Sequence, residues 1–341
     1  MSDGRWRRRT FLVTGACLGL AGCLDIPRRG EHVNLPGIQH FSTLTVPSNL
    51  ERLVLIDGQR ARHSDVVARG TKALLEAVPF QDLSGTIHST FDPMARDGLD
   101  LSQIGKLAFI SGTASDHSGL IGGGARGAGV VIWAPWDIED FLAELNTEPD
   151  PFRIYRGQHL HRIDGGVAVH IAEGVPGVFD TSALAIGDED IVRDVIDAWQ
   201  GRSQLIDDDF LKGFTTIPER APLQALIHQP HRDCPTPDAV DAASLAYISA
   251  YVTDDSSGGI TLWVDPNERT VNVLEQLEGT LFGNAAGGEQ PPAENLDDLS
   301  EDIEMDSDER GVHIEYQPES KSVNIGLFLD GVLCTIDSAS K

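Results

Sequence analysis

Short apolar strings recur along this chain at a fixed distance, and that recurrence restricts its fold more than any other feature. Leu53-Val54-Leu55-Ile56-Asp57-Gly58, followed by a helical pattern over residues 64–78, is echoed by Ala183-Leu184-Ala185-Ile186-Gly187-Asp188 with a helical pattern over 189–199. Lys106-Leu107-Ala108-Phe109-Ile110-Ser111 is echoed by Ser244-Leu245-Ala246-Tyr247-Ile248-Ser249, and Val130-Val131-Ile132-Trp133 by Ile260-Thr261-Leu262-Trp263. The Ile56/Ile186 and Trp133/Trp263 pairs are both 130 positions apart, and the Leu107/Leu245 spacing calls for a compensating insertion. Repetition of order, type and spacing is the signature of an internal repeat. Helical periodicity follows each Trp string, over 137–145 and 269–281, and each is followed by alternating apolar and polar residues around a polar turn. The first such hairpin turns at Asp164-Gly165-Gly166 and the second at Asp308-Glu309-Arg310-Gly311. Residues 324–335 are expected to form a last strand. The pattern predicts an α+β fold of two similar units of antiparallel strands and helices, arising from internal duplication.

The N-terminus is of a different kind. Arg8-Arg9-Thr10-Phe11-Leu12 fits the twin-arginine export pattern, and the apolar run that follows is broken by Gly15 and Gly19. A dozen residues are too few to span a bilayer as a helix, which takes roughly 20; the run reads as the apolar region of a signal peptide. It closes on Leu20-Ala21-Gly22-Cys23, where small residues admit the peptidase and the Cys23 thiol accepts the lipid. Two acyl chains hold a protein stably to a membrane where one does not. Residues 1–22 are therefore expected to be a signal peptide and 23–49, with Pro27, Pro36 and Pro47, a spacer. The first unit is assigned to 50–178 and the second to 179–341, with an acidic loop over 284–308. The expected place is the outer face of the cytoplasmic membrane, with lipid on Cys23 as anchor.

The formal charge is −27, and loss of the basic leader makes it more negative still. A phosphate backbone needs a basic surface, so nucleic acid is excluded as a partner. Lysine occurs only at positions 72, 106, 212, 321 and 341, the other cations being arginine. Such acidic, lysine-poor composition suits a chain that works in concentrated salt, where self-repulsion is screened.

Candidate sites are sparse. His159 and His161, two apart on a strand, face the same way, and His228 and His231 lie in a proline-rich stretch with Cys234. Neutral imidazoles suit zinc or copper, but neither set has the ligand spacing of a standard zinc module. Once Cys23 is lipidated and Cys17 removed, Cys234 and Cys334 are the remaining thiols and candidates for a disulfide outside the cell. The glycines of 122–129 lead into a strand rather than a helix N-terminus, against a phosphate cradle. No G-x-S-x-G elbow is present, and Asp116-His117-Ser118 is contiguous where a triad converges from separate segments. Trp133 and Trp263 read as core, with ligand-facing placement as the alternative.

The RRTFL and LAGC motifs on an acidic, arginine-rich body resemble the twin-arginine-exported lipoproteins of halophilic archaea. Ala185-Ile186-Gly187, Asp190-Ile191-Val192-Arg193, Ile196-Asp197-Ala198, Gly201, Leu205 and Asp209-Phe210 resemble a repeat in large exported bacterial proteins of unknown function. That resemblance covers residues 183–226; it implies a duplicated α+β body and brings no catalytic residues or cofactor. The sequence thus favours a non-enzymatic surface lipoprotein that binds an unknown protein or small molecule. The alternatives are a metal-dependent hydrolase using the histidine pairs and a solute-binding subunit of a transporter.

Overall fold

The computed structural model describes residues 50–61, 104–113, 126–134, 136–145, 147, 150–163, 166–171, 182–200, 213, 217–218, 221–228, 240–241, 245–253, 257–282, 302–317, 328–329, 332 and 336–337. All belong to one unit, Leu35–Lys341. The leader with Arg8, Arg9, Phe11, Leu12 and Cys23, the helical pattern over 64–78, and His231, Cys234 and Cys334 lie outside the described residues.

Alternating and fully apolar runs become strands β1 (Leu50–Asp57), β2 (Lys106–Thr113), β3 (Arg126–Ala134), β4 (Arg153–Tyr155), β5 (Gln158–Ile163), β6 (Gly166–His170), β7 (Ser182–Gly187) and β8 (Leu223–Ile227). They continue as β9 (Val240–Asp241), β10 (Leu245–Val252), β11 (Gly258–Val264), β12 (Ile303–Ser307), β13 (Gly311–Tyr316) and β14 (Ile336–Asp337). Among the described residues a single helical turn follows β1 at Gly58–Ala61, and the longer helices are α1 (Ile138–Glu144), α2 (Glu189–Trp199) and α3 (Thr270–Phe282). Twelve strands make one sheet in the order β12-β13-β11-β10-β8-β1-β2-β3-β7-β6-β5-β4, and β9 and β14 form a separate parallel pair. Every neighbouring pair in the large sheet is antiparallel.

This corrects the expectation of a duplicated α+β fold. The architecture is a single, mostly antiparallel sheet, not two similar units. The first pair of look-alike strings occupies unlike places: residues 53–56 lie in β1 at the centre of the sheet between β2 and β8, whereas 183–186 lie in β7 between β3 and β6. Their likeness follows from a shared demand, since strands covered on both faces read as continuous apolar runs wherever they sit. Residues 324–335 are corrected as well: the described residues there, Phe328, Leu329 and Val332, are helical. Phe328 stacks on Tyr316 at 5.3 Å, so this segment packs on β13 instead of extending the sheet.

Alternation divides the sheet into two faces. Face A carries Val54, Ile56, Phe109, Val130, Ile132, Leu184, Ile248, Leu262 and Ile314, and packs with Phe141 and Leu142 of α1 and Val273 and Leu277 of α3. Face B carries Leu53, Leu55, Ala108, Ile110, Val131, Val169 and Ala185, and packs with Ile191, Val192, Val195 and Ile196 of α2. Burying each Val, Leu, Ile or Phe among them stabilises the fold by about 1.5–3 kcal/mol before the ordering cost.

Helix α2 is fastened to the sheet at its start. Asp188 precedes its first turn, and its carboxylate accepts from the Ala128 backbone N–H (2.8 Å) while its own N–H donates to the Ala128 carbonyl (3.0 Å). Gly187, at φ +149°, makes this approach feasible: a Cβ there would lie 2.4 Å from the Ala128 carbonyl oxygen. The side-chain oxygen that would usually cap the helix is engaged by β3.

Candidate functional site

Beyond the reach of α2, face B changes character. On β10, β11 and β13 the side chains at alternate positions are Tyr247, Ser249 and Tyr251; Gly259, Thr261 and Trp263; and Gly311, His313 and Glu315. These residues form a continuous polar and aromatic strip. The Trp263 indole N–H donates to Ser249 Oγ at 3.1 Å, and the Trp263 and Tyr247 rings lie 5.3 Å apart at 30°. Tyr251 leans across its neighbour at Gly259, where a Cβ would stand 2.5 Å from the tyrosine ring. An aromatic laid over a strand glycine covers backbone that would otherwise be bare.

At the outer part of the strip a relay crosses two strands and a turn. Thr261 Oγ1 lies 3.2 Å from His313 Nδ1, and His313 Nε2 lies 3.2 Å from Asp308 Oδ2. With the Nε2 proton directed at the carboxylate, Nδ1 becomes the acceptor for the threonine hydroxyl. Asp308 also accepts from the backbone N–H groups of Arg310 (2.7 Å) and Gly311 (2.9 Å), closing the turn between β12 and β13. The Arg310 N–H does most to hold the Asp308 carboxyl below the usual carboxylate range; burial opposes it, and His313 and Gly311 add to the lowering.

Chemically, the relay has the groups of a hydroxyl activated by a carboxylate-oriented imidazole. Access argues otherwise. Thr261 is 5% exposed and Ser249 1%, so both hydroxyls are enclosed. Trp263, Tyr251 and His313 are half-buried and present the open part of the strip.

The sequence-predicted metal ligands come together only in part. His159 and His161 do share face A of β5, with His159 exposed and His161 6% exposed and opposite Ala168. His228 is exposed just after β8, and its N–H donates to the Glu51 carbonyl. Among the described residues no group of three or more His, Cys, Asp or Glu side chains is placed to hold a metal. Trp133 and Trp263 both lie on face B, half-buried, so neither is sealed in the core.

A second cluster, not foreseen from sequence, lies at the other end of face B. Tyr155 donates to Asp197 Oδ2 of α2 at 2.8 Å, and Arg156 Nε lies 3.3 Å from the other oxygen. The guanidinium groups of Arg156 and Arg193 stand over the Tyr155 ring at 5.5 and 5.3 Å, and Arg162 over Phe152 at 4.8 Å. Arg153 and Arg193 both reach Glu189. Burial, then the bond to Asp197, pushes the Tyr155 hydroxyl above its ordinary value, with Arg156 opposing. A signal for this cluster was present in the sequence: Arg153 and Tyr155 alternate on one face of β4, and Glu189, Arg193 and Asp197 recur every four residues along one side of a helix.

No protein-family model and no curated protein matches the chain. Among solved structures it is similar to crystal form I of TP0453, with a TM-score of 0.42 and 8% identity over 85% of this chain and 96% of that one. Crystal form IV of the same protein gives 0.38 and 9% identity over 84% and 96%. Among the described residues no helix is long and apolar enough to cross a membrane.

Proposed function

We propose that the chain is a lipid-anchored protein of the outer membrane face that acts by binding a protein or small-molecule partner. The anchor rests on Arg8-Arg9-Thr10-Phe11-Leu12 and Leu20-Ala21-Gly22-Cys23 standing in order within 23 residues. The observation that carries binding over catalysis is the strip on β10, β11 and β13. Its hydroxyls are enclosed and spent on neighbours, while Trp263, Tyr251 and His313 offer half-buried aromatic and polar surface. Tyrosine and tryptophan in such positions supply contact area at low entropic cost, and they are enriched where proteins meet partners.

Two measurements test the reading. In cell fractionation, Cys23→Ala is expected to move the exported chain from the membrane to the soluble fraction, and Arg8→Lys with Arg9→Lys to leave it inside the cell. Retention of Cys23→Ala at the membrane refutes the lipid anchor. Metal analysis of the purified chain is expected to give less than one zinc per chain. Stoichiometric zinc, lost on His161→Ala, would replace binding with metal-dependent hydrolysis.

A further inference from the structure

A twelve-stranded sheet that does not close has two ends, and here the ends are unlike. Strand β4 terminates one and β12 the other, and no described residue pairs with the outer side of either. On β4, Arg153 and Tyr155 point to face B and Ile154 to face A, with Arg156 in the turn that follows. Ile154 is 63% exposed, and with Val271 it is one of two exposed large apolar side chains among the described residues. Arg153 and Arg156 bridge to Glu189 and Asp197, yet the arginine is the more exposed member of both pairs, 51% against 31% and 44% against 14%. On β12, Glu304 and Asp306 point to face B and are exposed, Ile303 and Met305 point to face A and are half-buried, and Asp302, Asp308 and Glu309 flank the strand.

From this complementarity we infer that the two ends are matching docking edges, through which one copy of the chain adds its β4 to the β12 of the next. Three independent features agree. Charge comes first: placing β4 beside another β4 sets arginine against arginine, and β12 beside β12 sets carboxylate against carboxylate. Only β4 beside β12 joins opposite signs, so the charges that guard an edge against indiscriminate pairing here select one partner.

Strand direction comes second. An even number of strands in unbroken antiparallel alternation leaves β4 and β12 running opposite ways. A copy shifted sideways without being turned over therefore meets its neighbour antiparallel, continuing the ladder.

Side-chain facing comes third. In that arrangement face B of one copy continues face B of the next, setting Arg153 and Tyr155 beside Glu304 and Asp306. Face A sets Ile154 beside Ile303 and Met305. The contact is heterologous, using two different surfaces, so it leaves a free β4 and a free β12 at the ends of every assembly and propagates in a row. Main-chain hydrogen bonds provide the affinity and the alternating side chains the register, as in other strand additions.

The test uses sedimentation velocity on the purified full-length chain and three single variants at exposed positions. Wild type is expected to give a concentration-dependent series above the monomer. Ile154→Lys, which disables β4, and Glu304→Lys, which disables β12, are each expected to sediment as monomers with unchanged circular dichroism. An equimolar mixture of the two is expected to form a dimer and nothing larger, because each partner keeps one good edge. Val271→Lys, on the exposed side of α3 and on neither edge strand, is expected to assemble as wild type does. A monomeric wild type up to its solubility limit overturns the proposal. So does assembly by either edge variant alone, or a mixture that stays monomeric. Loss of assembly in Val271→Lys also overturns it, by moving the contact to α3.

Discussion

The two arms of face B solve the problem of burial differently. Over β3, β6 and β7 the strand side chains are Val131, Val167, Val169 and Ala185, and α2 lays Ile191, Val192, Val195 and Ile196 on them. Over β10, β11 and β13 the corresponding positions hold Tyr247, Ser249, Thr261, Trp263 and His313, and the polar atoms are satisfied across strands: indole to serine, threonine to imidazole, imidazole to aspartate. An apolar surface asks only for area to be covered, whereas a polar one must find partners for every donor and acceptor it buries. The first arm is a core; the second is a surface with its hydrogen bonds already arranged.

This contrast predicts different sensitivities. The largest effect is expected in the first arm: Ile196→Ala, at a fully buried position, should cost about 2–5 kcal/mol in urea unfolding. Thr261→Val in the second arm exchanges one hydroxyl for a methyl of similar size and should cost about 1 kcal/mol. Equal losses would mean that the strip is as much a core as the helix-covered arm, and would break the comparison.

The contrast extends to two pH limbs. The Asp308 carboxyl is held low, so its contribution is present above the ordinary carboxylate range and lost as acid protonates it. Asp308→Asn should flatten that limb while leaving the first arm's hydrogen-exchange protection unchanged. Lys106, at the start of β2, works the other way. Burial lowers its ammonium to about 8, against the attraction of Asp57, its cross-strand partner. The unfolded chain binds the proton more tightly between pH 8 and 10.5, so stability rises with pH across that window, and Lys106→Met should abolish the rise. A stability curve of Lys106→Met that still climbs there would show that another group is responsible.

Local structure was legible in the sequence where a pattern and its turn stand together. The strands flanking Asp308-Glu309-Arg310-Gly311, the hairpin of β5 and β6, and the helices beginning near Asp137, Glu189 and Arg269 all form where periodicity and turn residues place them. What was not legible is adjacency. Strand β1 pairs with β8, and β3 with β7, across long intervals of chain, and nothing in the string Leu53-Val54-Leu55-Ile56 distinguishes a central strand from one nearer the edge. That gap is why similar strings suggested two units where one sheet exists.

The same gap concealed the site. Alternation in Val312-His313-Ile314 puts the histidine opposite the apolar pair, and alternation in Ile260-Thr261-Leu262 does the same for the threonine. Only the pairing of β11 with β13 brings the two together.

The central position of β1 has a mechanical consequence. Leu50, the first described residue of the unit, opens a strand bonded on both sides, to β2 and to β8. Tension entering from the N-terminal side and directed along this strand is carried into two ladders at once and must shear both together. An edge strand such as β4, loaded crosswise, would peel away one bond after another. Were the chain held at its front end, the first described strand to take the load would be one gripped from both sides.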